Sequence, residues 1–501
     1  MKADPNQQAA IKHGSGPALV SAGPGSGKTY VLTHRIQFLI QNFGVSPEKI
    51  LVLTFSKAAA EEMKERFLSL TGQNKTKVTF GTFHSVFLKI LKNSGNFGSF
   101  RVISETEENF LMQKAMKQMH SSLQSCEYAD RLLARYHALK AKDQISSYVR
   151  DNDSTKKIES IEKRMLLRYE ILKKQEGLLD YDDMLYETRK QLCQNPKLLG
   201  DVQKRFSFIL IDEFQDINPV QYEIIRLIGK KHENIFAVGD DDQSIYAFRG
   251  ATPAVMKCFL EDYENVKEYH LFRNYRSRKK IVKRAGKLIK KNRDRFRKKI
   301  NSVSDEAGEV KYRIYANKKK EYRALADDIK KVIQTNKDVK CAILLRTNAV
   351  PGDLVQALKN NTIKFRIVNP KAEELSETET DKNISTEKGF TQKTIAKNAG
   401  MKKNSSVEND SVLIMTMHAS KGLEFDAVFI PDLYEGNIPY RLSKSREEIE
   451  EERRVFYVAM TRAKEKLYLY GLNTFSPKKK TLFKKKTGKY RISRFYINSI
   501  F

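Results

Sequence analysis

The chain has 501 residues, 40% of them hydrophobic, which is enough to bury more than one core and implies two or more domains. Its formal charge of +31, from 92 Lys+Arg against 61 Asp+Glu, exceeds what an ordinary surface needs and points to a polyanionic partner, most often nucleic acid, with solubility explaining part. No apolar run is long enough to span a bilayer and no apolar leader follows Met1-Lys2-Ala3-Asp4-Pro5; Cys126, Cys193, Cys258 and Cys341 are scattered without a Cys-x-x-Cys pair. Membrane insertion, secretion and a zinc or iron–sulfur centre are therefore not expected, and a reduced, cytoplasmic setting is.

Gln7 comes first among the candidates, since a glutamine amide offers adenine both a donor and an acceptor, although an exposed Gln on a first helix is usually only solvated. The apolar run Ala18-Leu19-Val20 then leads into Ala22-Gly23-Pro24-Gly25-Ser26-Gly27-Lys28-Thr29 and on to a helical pattern. Strand, glycine-rich turn and helix start form a phosphate cradle. Gly25 and Gly27 let backbone N–H groups converge on an anion at a helix N-terminus, Lys28 neutralises the β- and γ-phosphates, and the Thr29 hydroxyl ligates Mg²⁺. The strict pattern has glycine where this chain has Ala22.

Further strands end in further candidates. Ile50-Leu51-Val52-Leu53 delivers Thr54 and Phe55, a hydroxyl and an aromatic face that suit a nucleic-acid strand, with core packing of Phe55 as the alternative. Val78-Thr79-Phe80 delivers Gly81-Thr82-Phe83-His84-Ser85. From about Leu88 to Glu187 the apolar spacing turns helical, predicting a helical insertion whose basic residues either line a DNA path or form a wet face. The apolar run Phe208-Ile209-Leu210-Ile211 ends in Asp212 and Glu213, placed to hold Mg²⁺ and to polarise the attacking water. Asn234-Ile235-Phe236-Ala237-Val238 delivers Gly239 to Ala251, in which Gln243 senses the γ-phosphate while Tyr246, Phe248 and Arg249 offer aromatic faces and a cation to DNA.

With these stretches in this order, the chain resembles a superfamily 1A DNA helicase of the UvrD/Rep/PcrA group. The second half of the resemblance rests on Phe272 to Ser277, Ala342 to Asn348, Thr416 to Phe425 and Glu451 to Ala463. It implies an α/β fold of two RecA-like parallel-sheet domains of the P-loop NTPase type with a helical insertion in the first. The implied boundaries are domain 1A at 1–88 and 188–271, insertion 1B at 89–187, domain 2A at 272–370 and 412–475, a linker at 371–411 and a basic tail at 476–501. ATP and Mg²⁺ are the implied cofactors, and ATP would sit between the two domains. Tyr275 would stack on the adenine that Gln7 reads, Glu424 would bind the ribose, and Arg276 and Arg462 would reach the γ-phosphate as arginine fingers. The DNA grips would be Phe55, His84, Tyr246, Phe248 and His418; the family commonly has Trp where Phe248 stands, and this chain has no Trp.

One departure is large. In the resembled family a mostly helical subdomain, 2B, lies between the segments ending near Asn348 and starting near Val412, where this chain has a short and polar stretch that reads as a linker or minimal hairpin. The basic stretch Arg273 to Lys299 either contacts duplex or backbone instead, or is a solvated helix face. Pro477 to Lys486 is a charge run suited to nonspecific phosphate contact. The expected activity is an ATP-dependent 3′→5′ DNA helicase and single-stranded DNA translocase acting in repair, replication or recombination. Its partners are single-stranded DNA and single-strand/duplex junctions. The alternative is a translocase that does not unwind alone, the motor of a repair or antiphage defence complex with an accessory repair or nuclease protein. A DNA-binding subunit with a dead ATPase is disfavoured, because Lys28, Thr29, Asp212, Glu213, Gln243, Arg276 and Arg462 are all present. Oligomeric state is not encoded in any motif.

Overall fold

The computed structural model describes residues 3–94, 100–119, 125–141, 157–368, 412–474 and 490–500. They divide into two compact units, Met1–Arg273 with Arg295–Lys299, and Asn274–Asp294 with Ile300–Phe501. The linker expected at 371–411 and the charge run Pro477 to Lys486 lie outside the described residues.

The first unit is built on a 6-stranded sheet in the order Thr79–Thr82, Ile50–Thr54, Phe208–Ile211, Ile235–Gly239, Ala18–Ala22, Lys267–Leu271. Every pairing in it is parallel. The apolar runs are continuous because both faces are covered. Alternate residues supply two separate cores, Leu51, Leu53, Ile209 and Ile211 to one, Ile50, Val52, Phe208 and Leu210 to the other. Each such side chain contributes about 1.5–3 kcal/mol on burial, so the helices on either face are held by packing more than by propensity.

The helical insertion has a core of its own, running from Ile103 to Leu178 across the helices Glu105–Gln118, Cys126–Ala141 and Lys157–Gln175. A short parallel pair, Arg101–Val102 with Leu178–Leu179, closes its base. The flanking helices Phe83–Lys92 and Tyr181–Gln194 add Phe87, Ile90, Leu185 and Leu192 to the core of the main sheet instead. At the foot of the insertion sits a buried ionic knot. Lys173 and Lys140, which are 1% and 5% exposed, meet Asp180 and Asp183, with Tyr136 hydrogen-bonded among them. Asp180 also caps the helix Tyr181–Gln194, accepting the Asp183 N–H at 2.7 Å, so one carboxylate serves helix start and ion pair together.

The second unit repeats the plan with a 6-stranded parallel sheet, ordered Glu309–Tyr315, Ala463–Leu472, Phe425–Leu433, Cys341–Leu345, Val412–Thr416, Phe365–Ile367. Its core gathers Leu325, Ile329, Ile343, Ile414 and Phe429. Two parallel sheets with helices packed against them are the α/β architecture of paired RecA-like domains. Among the described residues no helix is long and apolar enough to cross a membrane. All four cysteines are free thiols.

His137 borders the ionic knot, 2.8 Å from Asp182 and 3.5 Å from Glu108. Burial works against its protonation, but those two carboxylates win and raise its pKa to about 10. A pKa raised on folding stabilises the fold fully below the ordinary value of about 6.5 and loses that contribution as the pH climbs through the folded value. The thermal midpoint of the unmodified chain should therefore exceed that of His137→Gln most near about pH 6, and the gap should close towards about pH 10; a gap independent of pH refutes the assignment.

Candidate functional site

All strands of the first sheet point the same way, so their C-terminal ends lie along one edge, and the loops that leave that edge carry the candidate residues. The phosphate loop bends through Gly25 at φ 64° and Gly27 at φ 83°, and Gly27 is the N-cap of the helix Lys28–Gln41. Glycine at 27 is required twice over. Its φ is left-handed, and a Cβ there would stand 2.8 Å from Nε2 of Gln7. Gln7 is only 5% exposed and braces the loop: its Nε2 donates to the Ser26 carbonyl at 3.0 Å, while its Oε1 accepts the Asp4 N–H at 3.0 Å in a capping box. Ala22 ends its strand fully buried, Gly23 N–H reaches the Leu271 carbonyl at 2.9 Å, and Pro24 is buried between them and the turn.

Beside this cradle, Asp212 N–H bonds the Leu53 carbonyl at 2.9 Å, and Asp212 Oδ1 accepts the Glu213 N–H at 3.0 Å. Glu213 adopts φ 51°, a left-handed conformation uncommon outside glycine, and that turn aims its carboxylate at Lys28, 2.9 Å away. A polar relay continues from there. Gln215 donates to Glu213 and accepts the Asp240 N–H at 2.8 Å; Asp240 accepts from the Gln243 side chain.

Donor chemistry here fits the expected ligands. Ser26 Oγ is buried without a hydrogen-bond partner inside the cradle, as an anion-binding turn would leave it. Thr29 and Asp212 offer a hydroxyl and a carboxylate, the hard oxygen donors Mg²⁺ takes.

Asp240, Asp241 and Asp242 lie close enough together to hold a cation, and a side chain supplies one. Lys298, fully buried, places its ammonium against Asp240 and Asp241, and Arg295 forks onto Asp242 at 2.8 and 2.6 Å. Burial opposes the Lys298 charge, yet the three carboxylates hold its pKa above the lysine range. The basic stretch Arg273 to Lys299 is thus only in part a surface: Arg295 and Lys298 are spent inside the first unit.

The aromatic candidates form two groups. Phe55 stacks on Tyr246 with centroids 4.5 Å apart and planes at 14°, and Phe248 stands edge-on to Tyr246 at 5.9 Å, 58% exposed. His84 lies 5.2 Å from Tyr181, which is 56% exposed. Thr54 is fully buried, its hydroxyl donating to the Ser56 carbonyl at 3.0 Å. The Arg249 side chain lies outside the described residues.

In the second unit, Arg276, Glu424 and Arg462 converge where the strands Phe425–Leu433 and Ala463–Leu472 begin. Arg276 Nε donates to Glu424 at 2.8 Å, and Lys464 reaches the other Glu424 oxygen at 2.8 Å. Burial raises the Glu424 pKa, but Lys464 and Arg276 outweigh it and hold the carboxyl below its ordinary value. Arg462, 2% exposed, lies past the C-terminus of the helix Arg446–Met460 and donates to the carbonyls of Val458 at 3.0 Å and Leu423 at 3.2 Å, where a cation complements the helix dipole. Tyr275, half-buried, precedes this cluster. His418 follows the strand Val412–Thr416 and so sits at the sheet's opposite edge.

Sequence reasoning passed over Tyr181, Gln215, Lys464, Arg295 and Lys298. Only Tyr181 had a local signal, the Asp180 cap that fixes it at an exposed helix start; the others are defined by partners distant in the chain.

Two parallel sheets, a phosphate cradle and paired acids at a strand end define a P-loop nucleotide-binding protein. The family comparison is more specific. Residues 3–264 match the UvrD/REP helicase N-terminal domain, and residues 269–379 and 370–473 match the UvrD-like helicase C-terminal domain. The chain belongs to the UvrD/REP helicase family. It is 34% identical to YjcD of Bacillus subtilis (strain 168) over 377 residues, 72% of this chain and 48% of that protein. It is 31% identical to the ATP-dependent DNA helicase PcrA of Staphylococcus epidermidis over 371 residues, 72% of this chain and 50% of that protein. Against PcrA of Bacillus subtilis (strain 168) it is 27% identical over 629 residues, 93% of this chain and 82% of that protein. The first two alignments span about half the length of the relatives.

The Lys28–Glu213 pair has a measurable consequence, because any anion seated at Lys28 would compete with Glu213 for the ammonium. Glu213→Gln should bind ADP about fivefold more tightly, the equivalent of roughly 1 kcal/mol for a part-exposed ion pair. Fluorescence titration with ADP reads the effect, and weaker binding by the variant contradicts it.

Proposed function

We propose that this chain is an ATP- and Mg²⁺-dependent motor that translocates on single-stranded DNA and unwinds duplex in the 3′→5′ direction. The observation that carries the reading is the Lys28–Glu213–Gln215–Asp240–Gln243 relay, which joins the phosphate cradle to the loop bearing Tyr246 and Phe248. One loop then answers to nucleotide at its start and to DNA at its end.

In this reading Lys28 and the backbone amides after Gly25 bind the phosphates. Thr29 and Asp212 would hold Mg²⁺, which would supply charge neutralisation for the phosphates. Glu213 accepts a proton from the attacking water and Gln243 reports whether the γ-phosphate is attached. Gln7 and Tyr275 select adenine, Glu424 takes the ribose, and Arg276 and Arg462 stabilise charge developing on the transferred phosphoryl group. Arg276 must exchange Glu424 for phosphate to do so. Phe55, Tyr246, Phe248, His84, Arg249 and His418 grip successive nucleotides, with Tyr181 beside His84 extending that surface and Thr54 shaping it from below. DNA repair, replication or recombination in the cytoplasm, on the nucleoid, is the setting.

A second reading, a translocase that separates strands only with a partner protein, is favoured by one finding. The C-terminal family match falls into two pieces that meet at residues 370–379, where the subdomain 2B is expected to be replaced by a linker.

Both readings are tested on one preparation. ATP hydrolysis should rise at least about tenfold with single-stranded DNA and vanish in Lys28→Ala, and a 3′-tailed duplex should be unwound faster than a 5′-tailed one. Absence of hydrolysis at saturating DNA refutes the motor; faster unwinding from a 5′ tail refutes the polarity; rapid translocation with negligible strand separation selects the second reading.

A further inference from the structure

The relay that starts at Lys28 does not stop at Gln243. Asp240, which accepts the Gln243 amide, is also held by Lys298, and Lys298 lies 3.6 Å from Asp242. Arg295 occupies both Asp242 oxygens, and the Phe296 N–H donates to Asp241 at 2.8 Å. Three consecutive buried carboxylates repel one another and each needs compensation in a low-dielectric interior. Lys298, Arg295 and the Phe296 amide provide it.

Stability alone does not call for this solution, since apolar side chains filling the same space commonly stabilise a fold at least as well as buried ion pairs. What the ammonium adds is direction. It fixes one Asp240 oxygen while the other receives Gln243, so the orientation of Gln243 depends on where Lys298 stands. The segment Arg295–Lys299 belongs to the first unit, yet on both sides the chain continues into the second.

We propose that Lys298 is a positioning residue for γ-phosphate sensing: by anchoring Asp240 it sets Gln243, and with the Arg295–Asp242 fork it ties the sensing turn to the chain that leads into the second unit. This inference rests on the ATP-motor reading above. Lys298 acts through Asp240 and touches no phosphate itself.

The test compares the unmodified chain with Lys298→Met, with the charge-balanced pair Lys298→Met/Asp241→Asn, and with Arg295→Gln at the more accessible end of the clamp. The balanced pair is included because Lys298→Met alone leaves buried carboxylates uncompensated and risks misfolding. Each protein is titrated with ADP and with the β,γ-imido analogue of ATP, and its DNA-stimulated hydrolysis is resolved into kcat and KM. The balanced pair should keep its ADP affinity within about twofold, lose at least about fivefold of the preference for the imido analogue over ADP, and lose at least about tenfold in kcat with little change in KM. Arg295→Gln should shift the same quantities in the same direction. ADP affinity falling in step with kcat would mark a merely structural role and overturn the proposal, as would an unchanged nucleotide preference in the folded variants. If the unmodified chain binds both nucleotides but hydrolyses no ATP, the motor reading fails while the preference still decides the role of Lys298. If it binds neither, both readings fall.

Discussion

Parallel strand pairing is the constraint on which the rest of this structure depends. Because all six strands of the first sheet run in one direction, segments far apart in the chain, after Ala22, Thr54, Ile211 and Gly239, emerge at a single edge. A parallel sheet must be covered on both faces, and that burial consumes the apolar residues while leaving the edge to polar chemistry. The second sheet uses the same geometry differently: Arg276, Glu424 and Arg462 gather where two of its strands start, and His418 lies where another ends.

Charge in the first unit is managed by pairing rather than by exposure. Arg35, 2% exposed, is met by the carbonyls of Ile11, His13 and Gly14 and by the Phe236 ring, while buried lysines are committed to carboxylates: Lys298 to the Asp240–Asp242 turn, Lys173 and Lys140 to Asp180 and Asp183. Removing one partner from such a set typically costs about 3–5 kcal/mol, because a buried charge is left behind. Lys28 and Glu213 differ in kind. They remain partly exposed, at 13% and 23% of their side-chain surface, so their pairing is weak enough for a competing anion to replace.

Much of this was legible in the sequence, for a physical reason. The phosphate loop, Asp212–Glu213 and Gln243 each follow a short apolar run, so local pattern alone fixes both the strand and the residue leaving it. Arg295 and Lys298 were not legible as a clamp, because a basic stretch looks the same whether its partners are water, phosphate or carboxylates some fifty residues earlier. The amide of Gln7 suits adenine on chemistry alone, whereas its bracing of Ser26 and its collision with any side chain at Gly27 depend on tertiary placement. The pairing of Arg276 with Glu424 joins two residues each singled out for a separate role, and no spacing rule connects them.

Glu213 closes its strand in a left-handed conformation, at φ 51°. Only glycine adopts that region without cost, and a longer side chain held there gives up about 1–2 kcal/mol. A glycine at this position would make a calmer protein with no carboxylate to offer. The proposed chemistry and durability are thus in direct opposition at one backbone dihedral, and an effort to thermostabilise this fold by relaxing its strained residues, Glu213, Glu233, Thr362 and Asp432, would at Glu213 remove the carboxylate that faces Lys28.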